Sequence, residues 1–104
     1  MTNQEWTNEV RKLAMALWPE FPKTADKEIR KKYEGRFIAA LRFDSSTGSW
    51  EASCEYNGVA HDVNHVDEGM ARMKLLDELR GMLSAQLSAV RDRARDLERA
   101  LADR

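Results

Sequence analysis

The chain has 104 residues, with 17 Lys and Arg against 18 Asp and Glu and a formal charge of -1. That suits one domain and excludes a whole-protein field that would draw in DNA, an anionic membrane or an acidic substrate. Charged residues make up 34% of the chain while the apolar share is ordinary, which implies helices with long wetted faces.

Thr2 and Glu5 have the spacing of a capping box, and Trp6, Val10, Leu13 and Leu17, with Ala14 alongside, recur at helical steps. A helix over about residues 3 to 17 follows. Pro19 and Pro22 end it, since neither has an amide hydrogen to continue the ladder, and Trp18 and Phe21 are expected to seal the corner against the core. Thr24 can cap a second, shorter helix whose inward stripe would be Ala25, Ile29 and Tyr33, stopped by Gly35. Around it Lys23, Lys27, Arg30, Lys31, Lys32, Arg36 and Arg42 face only Asp26, Glu28 and Glu34, the one markedly basic stretch. Lys27, Arg30, Lys31, Lys32 and Arg36 are therefore the candidate phosphate contacts, with Tyr33 or Trp18 for stacking.

From Arg36 to Asp44 the period falls to two, with Phe37, Ala39, Leu41 and Phe43 alternating with Ile38, Ala40 and Arg42, as in a strand. Ser45 to Gly48 reads as a four-residue hairpin loop. A second strand over Ser49 to Tyr56 has one apolar side, Trp50, Ala52, Cys54 and Tyr56. Asn57 and Gly58 tolerate the positive φ of a type I′ turn, so a third strand, about Val59 to Asn64, completes a meander. No Lys or Arg occurs between Arg42 and Arg72, whereas acids recur there. Asp44, Glu51, Glu55 and Asp62 are the candidate acidic docking face, whose mutual repulsion calls for water or a cationic partner.

Asp67 and Glu68 open a last helix in which Met70, Met73, Leu76, Leu79 and Leu83 form a stripe for the sheet, with Met82 a further core residue. Leu83, Leu87, Val90, Ala94, Leu97 and Leu101 continue it at heptad steps, a seam for self-association that cannot stay wet. With Leu87 at position a, a parallel pair of helices would set Arg93 against Glu98. Gly81 marks a hinge candidate, at which the tail would fold back instead.

The fold class expected is α+β, with residues 1 to 83 as the domain and 84 to 104 as a helical tail continuous with it. The element order resembles the α-β-β-β-α order of double-stranded RNA-binding domains. That family carries lysines at the start of its last helix, where this chain has Val66, Asp67, Glu68, Gly69 and Met70.

His61 and His65, with Cys54 and Asp62 nearby, supply the residue types of a zinc site, but four-residue spacing does not join two side chains where a strand runs into a loop. No metal is expected. No phosphate loop, nucleophile elbow or other enzyme signature occurs, so neither a cofactor nor catalysis is expected; a small metal-dependent enzyme around the two histidines is the least favoured reading. One cysteine allows no internal disulfide, no leader pattern opens the chain, and no run approaches the ~18 apolar residues of a membrane span. A cytoplasmic setting without a membrane partner follows as an expectation. The leading functional expectation is a non-enzymatic, self-associating protein that binds a basic, nucleic-acid-handling protein as an inhibitor or adaptor, of the phage or bacterial anti-defence type. Nucleic-acid binding through residues 23 to 42 is the alternative.

Overall fold

The computed structural model describes residues 1–23 and 25–102. It is an α+β arrangement in the order α1 (Asn3–Leu17), α2 (Lys27–Tyr33), β1 (Phe37–Asp44), β2 (Ser49–Tyr56), β3 (Val59–His65) and α3 (Glu68–Ala102). Thr2 caps α1 as its spacing with Glu5 implied: the hydroxyl oxygen accepts from Glu5 N at 3.2 Å. Trp6, Val10, Ala14 and Leu17 are buried, and Trp18 and Phe21 close the corner beyond them, Phe21 inside and Trp18 against the core.

The strands form an antiparallel sheet in the order β1-β2-β3. Asp44 opposite Ser49 leaves a four-residue loop, with Gly48 at φ +68 donating to Asp44 O at 2.8 Å. Asn57 (φ +52) and Gly58 (φ +78) make the second turn, the left-handed pair that the type I′ geometry needs. Both helices of the core lie on one face, over Ala52, Cys54 and Val63; among the described residues the other face carries no helix.

Two expectations about helix faces fail. Thr24 lies outside the described residues, and the cap of α2 is Asp26, whose carboxylate accepts from Glu28 N at 2.9 Å. The expected stripe of Ala25, Ile29 and Tyr33 is not inward as a whole: α2 buries nothing, and Ile29 is 48% exposed. A two-turn helix at a corner meets the body through Arg30, which lies over the Phe21 ring, and Tyr33, which lies beside Gly58. In α3 the buried residues are Ala71, Leu75, Leu76 and Leu79, while Met70 and Met73 face solvent. The reason is that α3 fills the angle between α1 and the sheet and so needs two adjoining apolar rows. Ala71 and Leu75 supply the second row, and Met70 and Met73 fall outside both. Met82 does join the core, half-buried. Each fully buried leucine here contributes about 1.5–3 kcal/mol through burial.

Directions follow from four contacts. Lys74 Nζ donates to Asn64 O at 3.2 Å, and Glu78 reaches His61, so α3 runs antiparallel to β3. Trp6 Nε1 donates to Arg72 O at 3.2 Å, while Trp18 O accepts from Asn57 at the far end of the sheet. Hence α1 lies alongside α3 and runs the same way.

Gly81 does not break α3. The helix is continuous through it, and its 35 residues span roughly 52 Å at about 1.5 Å per residue. The molecule measures 62 × 34 × 25 Å, with a radius of gyration of 17.4 Å against about 13 Å for a compact chain of this length. The excess is the overhang of α3.

Candidate interaction surfaces

Period-two alternation sends Ile38, Ala40, Arg42, Glu51, Ser53, Glu55, Ala60, Asp62 and Asn64 to the helix-free face of the sheet. The register arranges them in three rows across the strands: Arg42, Glu51 and Asn64; Ala40, Ser53 and Asp62; Ile38, Glu55 and Ala60. No two carboxylates stand directly opposite each other, so the expected repulsion is largely relieved by register. Moreover, Arg42 Nη2 donates to Glu51 Oε1 at 3.3 Å. The stretch without cations in the sequence is thus not without them in space, because β1 folds Arg42 back onto β2. Among the described residues the face keeps Glu55 and Asp62 without a cationic partner, beside Ile38, which is 37% exposed.

Asp44, expected among the docking carboxylates, does a different job. Its Oδ1 accepts from Ser46 Oγ at 2.6 Å and from Ser46 N at 2.9 Å, and these bonds hold the carboxyl below its ordinary pKa. It closes the hairpin loop at the edge of the face.

Apart from half-buried Arg30, the candidate cations of the basic segment are exposed, and three of the five lie near aromatic rings. Arg30 sits 5.8 Å from the Phe21 centroid, while Lys32 and Arg36 are 5.3 and 5.9 Å from that of Tyr33. Tyr33 is therefore occupied as a platform by its own neighbours, and Lys27 and Lys31 are left facing water among Glu28 and Glu34. Trp18, the other stacking candidate, rests half-buried on the core.

The two histidines share the inner face of β3 but not a site. His61 stands opposite Cys54 in the ladder, with its Nε2 3.5 Å from Glu78 Oε2, an attraction present when the ring is protonated. The Nδ1 atom of His65 accepts from Asp67 N at 2.9 Å, at the entry to α3. Among the described residues no group of three His, Cys, Asp or Glu converges on a metal position. Cys54 is buried, and burial pushes its thiol up to about 11, which keeps it protonated at neutral pH.

The overhang carries a row of exposed apolar side chains. Leu87, Val90, Leu97 and Leu101 are 52%, 66%, 61% and 70% exposed, with Ala94 exposed among them. Leu83, expected as the first residue of the seam, is half-buried against the core, so it sits at the edge of the body with one side on the core and the other at the start of the seam. No described helix is long and apolar enough to cross a membrane. What the sequence reading missed is Asn57, which does more than turn the chain: its side chain is buried and joins Gly35 N to Trp18 O.

No protein-family model, curated protein or solved structure matches this chain.

Proposed function

We infer that this protein is a non-enzymatic interaction module that works as a self-associated assembly. The overhang of α3 joins the copies, and the helix-free face of the sheet, with Glu55, Asp62 and Ile38, docks a second protein of basic surface. The observation that carries the reading is the row of four large apolar side chains on α3, each more than half exposed, on a helix that continues well past its own domain. Such an exposed stripe is characteristic of an interface.

Sedimentation equilibrium at micromolar concentration tests it. The wild type is expected to run as a multimer, and a Val90→Glu, Leu97→Glu variant as a folded monomer with unchanged thermal stability of the body. A monomeric wild type refutes the reading. For the sheet face, a partner captured from host lysate by the wild type should be lost on Glu55→Lys with Asp62→Lys and retained on Lys27→Glu with Lys31→Glu. The opposite pattern, with DNA or RNA binding that falls steeply with salt, would transfer the function to the basic segment.

A further inference from the structure

We propose that two copies pair antiparallel through their overhangs, about a two-fold axis at Asp92, so that Leu101 of each copy meets Leu83 of the other. The inference rests on the self-association proposed above and adds its direction and register.

Three observations lead to it. An α-helix returns to the same angular position after 18 residues, which is five turns at 3.6 residues per turn. Leu101 therefore stands above Leu83, Leu97 above Leu79, Ala94 above Leu76 and Val90 above Arg72. The lower member of each pair already meets the body: Leu76 and Leu79 are buried and Leu83 half-buried, while Arg72 donates to Asn3 of α1 and gives its carbonyl to Trp6. Leu87 stands above Gly69, which is exposed, so the seam continues upward, except at its Leu87 edge, the face that α1 and the sheet cover below.

That placement decides the direction. A second copy running parallel and in register would have to lay its own first α3 turns where α1 lies. One running antiparallel enters from the open end and stops where the body begins. The overhang of residues 84–102 is roughly 28 Å long at about 1.5 Å per residue, so the two overhangs can overlap over their whole length.

The occupant is indicated by the symmetry of the seam itself. Leu83 and Leu101, Leu87 and Leu97, and Val90 and Ala94 are each equidistant from Asp92. Rotation about that point sets leucine on leucine in the outer layers and valine on alanine beside the axis, with no seam residue left unmatched. An isologous dimer needs this self-complementarity, and a foreign helix would not require it.

The charges pull the other way, though weakly. The antiparallel pair brings Arg91 and Arg93 of the two copies near each other, whereas a parallel pair would join Arg93 to Glu98. Exposed charges at such sites are screened and count for little beside the burial that fixes α1 on α3. They do set a sign: sodium chloride should strengthen an antiparallel dimer and weaken a parallel one.

The test is a spin label at position 102, on an Ala102→Cys, Cys54→Ala chain whose fold is checked by circular dichroism, read by pulsed dipolar spectroscopy. Antiparallel pairing places the two labels roughly 30 Å apart along the helices, whereas parallel pairing places them at about the 10 Å helix spacing plus the label arms. A long distance together with salt-strengthened association supports the proposal. A short distance in a dimer overturns the direction but leaves self-association standing. A monomer by sedimentation, with no dipolar signal, overturns both and assigns the seam to a different chain.

Discussion

Replacing Asn57 by alanine should cost far more than an ordinary turn substitution. Asn57 is 3% exposed, its Oδ1 accepts from Gly35 N at 2.6 Å, and its Nδ2 donates to Trp18 O at 2.9 Å. One side chain thereby ties the end of α1 and the start of β1 to the β2–β3 turn. Alanine leaves a donor and an acceptor without partners, at about 1 kcal/mol each in a part-buried setting. It also forces a side chain without local hydrogen bonds into the left-handed region that Asn57 occupies at φ +52, for about 1 kcal/mol more. The expected loss is about 3 kcal/mol. At a urea slope of roughly 1–1.5 kcal/mol/M, the midpoint followed by tryptophan fluorescence should fall by about 2–3 M. Asn57→Gly restores the backbone freedom but not the bonds and should recover about 1 kcal/mol; Asn57→Asp keeps the acceptor for Gly35 and should also fall between. A loss under about 1 kcal/mol for alanine, or a glycine variant as stable as the wild type, would refute the assignment of a tie to this side chain, and identical losses for alanine and glycine would refute the backbone contribution.

Gly81→Ala should stabilise the protein by up to about 1 kcal/mol, because a Cβ there meets nothing within 4 Å and the helix is continuous through the site; a fall in melting temperature would contradict that continuity. The thiol of Cys54 sets an alkaline limit. With its pKa raised by burial from 9.0 to about 11, folded and unfolded states both hold the proton below pH 9, and only the unfolded state releases it between 9 and 11. Stability should therefore decline over that window and then level, and Cys54→Ala should remove this part of the decline when urea midpoints of the two proteins are compared. Trp6→Phe removes the indole bond to Arg72 O and leaves that carbonyl short of a partner where α1 meets α3, for an expected loss of about 1–2 kcal/mol in the same assay.

The strands and both turns were legible because period-two alternation and the Asn57-Gly58 pair act locally, within a few residues. The ends of α1 were legible for the same reason, since Thr2 and Pro19 act on the backbone next to them. The face of α3 was misjudged because Met70 and Met73 fit one apolar row as well as Ala71 and Leu75 fit another, and only the angle between α1 and the sheet chooses between them. Ile29 misled similarly: its spacing in α2 is helical, but a two-turn helix at a corner has no layer to bury it. The acidic face was half legible. Alternation placed Glu51, Glu55 and Asp62 together, whereas the pairing of Arg42 with Glu51 depends on register across a hairpin, and the local hydrogen bonds that retain Asp44 at the loop compete with any docking role. The overhang was legible from its heptads; that its seam stacks over the face covered by α1 was not, because that requires knowing where α1 lies.

Since α3 is unbroken, its outer half never has to start a helix of its own. Fixing the first turn is the costly step of helix formation, and here the body has already done it, so each residue beyond Leu83 adds at propagation cost alone. The projecting arm should melt gradually from Ala102 inward rather than all at once. In the pairing proposed above, a solitary molecule would meet its counterpart with the arm already wound at the base, where Leu87 lies, and still fraying at the tip.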